Sequence, residues 1–281
     1  MIIASQPRTK LPSGACDCHV HIYGDPTVYP ASPHSPAMPI PEATVEAYRA
    51  LQARLRLERV VVVQPSAYGF DNRCTLDAVR QLGTGARGVV VLRPEVGEAE
   101  LEAYTAQGAR GVRFLMLEGG VTRWEELEPV AARVAPFGWH VQLQMDGRLL
   151  SEREIGLKHL PCPLVIDHNG KFLRPVDLDH PGFLSLCRLL DTGRVWVKTS
   201  ACYETSREGP PRYGDVARLA QALIRRFPER VVWGTNWPHP SKRLEPPDDA
   251  LLLDLVAEWA GGEDVLERVM VVNPAKLYGF N

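Results

Sequence analysis

A chain of 281 residues with 45% hydrophobic and 23% charged residues has the make-up of a folded protein with a large core, which excludes global disorder. Its 32 Lys and Arg against 34 Asp and Glu leave a net charge of −2, so nothing draws it to nucleic acid or anionic lipid. Apolar runs such as residues 60–63 are far shorter than the roughly 20 residues of a membrane span. The opening MIIASQPRTKLPSG lacks the pattern of a signal peptide, and six cysteines form neither a CxxC pair nor a dense disulfide framework. A reducing cytoplasm is the expected compartment.

The first strand is expected over 15–19, followed by His21. The stretch 23–41 then carries six prolines, which rule out helix and predict a long ordered loop beside the first strand end. Further short apolar runs follow at 60–64, 88–92, 111–114, 140–145, 164–168, 195–198 and 231–235. Between them lie helical patterns at 44–55, 75–82, 98–107, 125–135, 181–190 and 215–227. Continuous apolar runs suit strands buried on both faces, and their alternation with helices predicts parallel βαβ units. Eight such units in about 250 residues predict one (β/α)8 barrel domain spanning 1–281. A doubly wound open sheet is the alternative, weakened by the absence of GxGxxG after the first strand.

In such a barrel the chemistry belongs at the C-terminal ends of the strands. Those ends carry His19 and His21, Gln64 and Ser66, Arg113, Gln144, Asp167 and His168, Lys198 and Ser200, and Asn236 with His239. On a strand, His19 and His21 share one face, so both can reach one metal ion or one substrate oxygen. The alternative is a pair satisfied by backbone. Alternation also predicts that Cys18 faces away from the pair as packing, and that Asp167 faces away from His168. The stretch WGTNWPHP reads either as a rigid aromatic corner or as a turn built to hold Asn236 in the mouth.

DCHVHIYG at the first strand end, GVRF at the fourth, VIDHNGK at the sixth, WGTNWPHP at the eighth and the later VNPAKLYGF resemble, in order, the amidohydrolase superfamily. The branch is the one that holds pyrone-dicarboxylate lactonases and galactarolactone isomerases. The resemblance implies a somewhat distorted (β/α)8 barrel acting on lactones, with His19, His21, His168 and Asn236 as its catalytic set. It departs at Asn236, where the lactonases carry an aspartate as the base that activates water. An amide has no proton acceptor near neutral pH. The same departure resembles the isomerases, in which a substrate hydroxyl attacks the lactone.

The resemblance therefore implies isomerisation of D-galactaro-1,5-lactone to the 1,4-lactone, with histidines, protonated or as donor tautomers, polarising the carbonyl and moving the proton. Expected substrate contacts are Ser66, Arg113, Gln144, Lys171, Tyr203 and His239, with Arg113 clamping a carboxylate through its bidentate fork. Lys198 and Arg174 are weaker candidates. Glu204 is expected where the lactonases carry an arginine. No cofactor and no metal are expected, and the partner is a small anionic lactone. Three rivals stand beside this reading: a hydrolase using His239 or Asp167 as base, a metal-dependent amidohydrolase, and a catalytically dead binding barrel.

Overall fold

The computed structural model describes residues 5–280. Residues 1–4 and 281 of the expected domain span lie outside the described residues. Eight parallel strands follow one another round the sheet in chain order, β1 to β8, each beside its neighbours in sequence. They are β1 (Cys16–Val20), β2 (Arg59–Val63), β3 (Ala86–Val90), β4 (Ala109–Leu115), β5 (His140–Gln144), β6 (Leu164–Ile166), β7 (Val195–Thr199) and β8 (Val231–Trp233). The order is that of the predicted barrel and excludes the doubly wound alternative, whose strand order reverses.

The barrel is nearly closed. Between β8 and β1 there is a single bridge, Val20 to Trp237, in place of a ladder. Three contacts just beyond β8 hold this seam. Asn236 N–H donates to His19 O at 2.9 Å, and His21 N–H donates to Trp237 O at 2.8 Å. The Asp17 carboxylate accepts from Thr235 N–H at 2.9 Å and from Thr235 Oγ1–H at 2.7 Å. Gly234 permits the approach, since a Cβ there would lie 2.7 Å from both the N and the Cβ of His19. The glycine of WGTNWPHP is thus required by close packing.

Each strand sends one face to the barrel interior and the other to the helices. Val61, Val63, Val89, Val165, Trp196 and Val232 form the inner cluster, while Val60, Val62, Val90, Leu164, Val197 and Val231 join the outer core. On β1 the alternation breaks, because the register slips between Asp17 and Val20. Cys18 keeps its alternation with Cys16 and packs in the inner cluster, and the slip brings the next residue, His19, to the same side, where its Nδ1 lies 3.4 Å from Lys198 Nζ. The expectation that Cys18 faces away from the histidines is corrected: a bulge, not simple alternation, aims this segment.

The helices of the outer layer include the six expected ones, observed as α1 (Val45–Leu55), α2 (Arg73–Leu82), α3 (Glu98–Ala106), α4 (Trp124–Val134), α6 (Pro181–Asp191) and α7 (Gly214–Arg226). Two more complete the layer, α5 (Leu150–Lys158) and α8 (Asp249–Ala260). Neither shows an amphipathic stripe. α5 buries Leu150 and Leu157 but leaves Ile155 78% exposed, and α8 buries residues on nearly all sides. After α9 (Glu263–Glu267), a π-helical turn leads into α10 (Asn273–Tyr278). There the Asn273 side chain donates to Pro228 O at 2.8 Å and to Val231 O at 2.6 Å, fastening the VNPAKLYGF segment to the start of β8. No helix among the described residues is long and apolar enough to cross a membrane.

Candidate active site

At the C-terminal mouth of the barrel lies a cavity of about 430 Å³. Of the residues expected there, His21, Ser66, Arg113, Gln144, His168, Lys171 and Asn236 line it. So does the proline-rich loop, through Tyr23, Ala37, Met38 and Ile40, and the segment after β8 adds Ser241 and Arg243. Sequence reasoning missed Arg243, which no motif marks. Arg174 is exposed and off the wall.

Several wall residues reach the cavity through left-handed backbone. β6 ends at Ile166, two residues earlier than expected, and His168, Asn169 and Lys171 have φ of 54°, 56° and 48°. Asn236 and His239 have φ of 63° and 61°. Such conformations cost non-glycine residues about 1–3 kcal/mol each and cluster where side chains must be aimed. Here the turn after β6 reverses the expected placement of Asp167. Inner Val165 leads by alternation to an inner Asp167, and His168 reaches the mouth only by leaving the strand.

The three histidines are tied together. His21 Nδ1 lies 2.8 Å from Val63 O, which fixes it as N–H and leaves a lone pair on Nε2. His19 Nε2, 3.3 Å from that lone pair, is then the N–H donor. His168 Nδ1 is 2.8 Å from Ser200 Oγ. Burial pushes His21 down to about 3, aided by the nearby Arg113 guanidinium. It pushes His19, beside the Lys198 ammonium, and His168 well below the usual histidine range. All three are neutral at pH 7, so an imidazolium is not the resting electrophile.

This has a consequence for stability. His140 inside the barrel is also pushed down by burial, to about 3. Four histidines therefore stay neutral in the fold while the unfolded chain protonates them near pH 6.5. The unfolded state binds more protons, so stability falls as pH drops from about 6.5. Asp17 acts oppositely: burial raises it to about 6, so the fold binds its proton first and offsets one of the four. The excess of protons bound by the unfolded chain grows as pH falls through 6.5, so the loss steepens between pH 6 and 5. Urea unfolding at pH 7, 6 and 5 should show that steep loss. Equal stability at pH 7 and 5 would contradict neutral buried histidines.

Beneath His19 lies an ionic floor. Lys198 Nζ–H donates to Gln142 Oε1 at 2.7 Å and to Cys18 O at 2.9 Å, and lies 3.4 Å from His19 Nδ1. Asp167 Oδ2 accepts from Gln142 Nε2–H at 3.0 Å, while its Oδ1 stands 3.7 Å from the ammonium and 3.5 Å from His19 Nδ1. Both are fully buried and away from the cavity wall. His19, Asp167 and His168 bring possible ligand atoms within 4.8 Å of one another, so this trio could hold a metal ion. The ammonium beside two of the three ligands opposes a second cation there, so the donor set fits a metal poorly.

Arg113 Nη1–H donates to Gln64 O at 2.8 Å and Nη2–H donates to Gln144 Oε1 at 2.9 Å, while its buried Nε–H has no partner. Arg113 forms no ion pair among the described residues. Gln64 itself is structural, with its amide spent on Gly69 O, Asp71 O and Thr75. Lys171 is paired with Glu204, whose Oε1 accepts from Ser241 Oγ–H at 2.6 Å. Tyr203 and His239 do not line the cavity. They stand behind Asn236, which donates through Nδ2 to Tyr203 Oη at 2.8 Å, and Tyr203 Oη is 2.9 Å from His239 Nδ1. Their geometry is that of support, not of substrate contact.

The Amidohydrolase family model matches residues 16–280. The chain is 37% identical over 276 residues to a D-galactarolactone isomerase of Agrobacterium fabrum (strain C58 / ATCC 33970), covering 97% of this chain and 93% of that one. It is 34% identical over 284 residues to a 2-pyrone-4,6-dicarbaxylate hydrolase of Comamonas testosteroni, covering 98% and 93%. An apo crystal structure from Agrobacterium tumefaciens superposes with a TM-score of 0.93 at 36% identity, covering 99% of this chain and 98% of that one.

Proposed function

The chain belongs to the amidohydrolase family and is a lactone-acting enzyme within it, and from that premise we propose that it isomerises D-galactaro-1,5-lactone to D-galactaro-1,4-lactone. The observation that carries this reading is the lack of a free carboxylate base for water deep in the cavity. Among the described residues, the carboxylates on the cavity wall are Glu204 and Glu118. Glu204 is held by Lys171 and Ser241, and Glu118 sits exposed at the rim. Asp167 and His239, the rival bases, are both off the wall. Position 236 offers an amide, which orients a hydroxyl without deprotonating it.

The reaction needs no water. A substrate hydroxyl adds to the lactone carbonyl, the tetrahedral intermediate expels the ring oxygen, and one proton passes from the attacking to the leaving oxygen. A well-placed internal hydroxyl has an effective molarity on the order of 10⁵ M or more, which offsets weak bases. His21 Nε2, which accepts from His19 Nε2–H in the free site, takes the proton once the substrate hydroxyl replaces that contact. This step takes Ser200 Oγ–H as the donor to His168 Nδ1, the tautomer in which His168 presents Nε2–H as a neutral donor to the developing oxyanion. Arg113, with spare N–H groups, holds the free carboxylate. The six cysteines, all unpaired and buried, suit the cytoplasm.

Incubation with the 1,5-lactone, followed by NMR, should show the 1,4-lactone without free galactarate. Hydrolysis of a sugar-acid or pyrone-dicarboxylate lactone, the alternative reading, would release free acid, with Glu204 freed from Lys171 to act as base. Arg113→Met should raise KM for an anionic lactone at least about thirtyfold and leave a neutral analogue nearly unchanged, as a buried charge pair losing one partner costs about 2–5 kcal/mol. Equal effects on both would make Arg113 structural. The reading also takes the site as metal-independent. Enzyme treated with a strong chelator and shown metal-free by elemental analysis should keep full activity; loss restored by zinc would refute this.

A further inference from the structure

Behind Asn236 runs a chain of hydrogen bonds whose direction is fixed at both ends. At the outer end, His239 Nε2 lies 3.0 Å from Asp249 Oδ1, and Asp249 Oδ2 also faces Arg54 Nη2 at 3.5 Å. A carboxylate beside a guanidinium accepts, so His239 carries a proton on Nε2 and, as the neutral ring, a lone pair on Nδ1. Tyr203 Oη, 2.9 Å from Nδ1, must then donate to it. At the inner end, Asn236 Nδ2 faces Tyr203 Oη at 2.8 Å and Glu204 Oε1 at 3.4 Å. Glu204 can only accept, and the Tyr203 proton is already committed, so the atom facing both must be the amide N–H₂. The two ends agree, since Glu204 alone already requires the amide N–H₂ on that side.

We propose that Tyr203, His239 and Asp249 are positioning residues that specify an amide at position 236 and turn its carbonyl oxygen toward the cavity, where it accepts from the substrate hydroxyl. The proposal rests on the isomerase reading for its substrate, but the chain itself is defined without one. Tyr203, His239 and Asp249 are all buried, which keeps water from supplying substitute partners. The choice of amide over carboxylate is thereby made by residues that do not touch the cavity.

A carboxylate at 236 would mismatch this chain. It could accept from Tyr203 but not donate to it, and it would face Glu204. Tyr203 would have to turn its proton inward, leaving His239 Nδ1 opposite a phenol oxygen with nothing to share. The match returns if Nδ1 takes up a proton, making His239 an imidazolium between Tyr203 and Asp249. The charged groups facing the altered cluster are Glu204, Asp249, Lys171 and Arg54, of which the two carboxylates favour that added charge.

The test is ¹⁵N NMR of histidine-labelled full-length protein at pH 7, without substrate. The His239 signals are identified by their loss in His239→Gln or, should that variant not fold, by their shift in Tyr203→Phe. In the parent protein His239 should be neutral with the proton on Nε2. In Asn236→Asp both ring nitrogens should be protonated. A parent His239 with its proton on Nδ1, or an Asn236→Asp protein with an unchanged neutral ring, would overturn the proposal. In kinetics, Tyr203→Phe should lower kcat about tenfold, as for a lost hydrogen bond, with KM changed less than threefold. A fall in KM-dependent binding alone would contradict a positioning role. The NMR outcome stands whatever product the enzyme makes, so failure of the chain and failure of the isomerase reading are separable.

Discussion

If the isomerase reading holds, Asn236→Asp is expected to release free galactarate from the 1,5-lactone, where the parent protein should release none. The substitution is nearly isosteric and puts a titratable oxygen on the cavity wall, where a water molecule can lose a proton to it. Its rate should remain low, since Tyr203 and Glu204 crowd the new charge. Asn236→Ala separates the remaining possibilities. If the amide only orients a hydroxyl, isomerisation should slow by about tenfold, the worth of a hydrogen bond of about 0.5–1.5 kcal/mol. A loss of four orders of magnitude would place the amide in the proton path and contradict transfer by histidines alone.

Lys198→Met is expected to have the largest effect on stability. The ammonium is fully buried and serves Gln142 and Cys18 while facing Asp167 and His19. Removing it strands the Asp167 carboxylate, and breaking a buried pair in this way costs about 3–5 kcal/mol. Urea denaturation should report a loss of that size. The double variant Lys198→Met with Asp167→Asn should recover most of it, because no unpaired charge remains. A double variant as unstable as the sum of the singles would show that the two groups do not act as a pair.

The barrel was legible because its strands are runs of valine, leucine and isoleucine closed on both faces, as in the VVVV of β2 and the LVI of β6. The wall of the site was legible at His21, Ser66, Arg113, Gln144, His168, Lys171 and Asn236, because polar side chains at strand ends have few other reasons to be there. The failures share a cause, which is that facing was inferred from regular alternation. A bulge in β1 put His19 on the same side as Cys18, and the early end of β6 left Asp167 and His168 both on the inner side. The Lys198–Asp167 floor joins residues far apart in the chain and carries no local pattern. Nor could spacing show that Tyr203 and His239 stand one layer behind Asn236. The helices α5 and α8 went unread because one has too little apolar surface and the other has it nearly all round.

Water's part in the reaction is the most direct test of intramolecular attack. The 1,5-lactone is incubated with the enzyme in H₂¹⁸O, and the products are separated and weighed by mass spectrometry at short times. The expected result is a 1,4-lactone carrying no ¹⁸O and no enzyme-dependent galactarate. A labelled 1,4-lactone, or labelled galactarate formed at the rate of substrate loss, would mean that water attacks first, and would contradict isomerisation through the substrate's own hydroxyl.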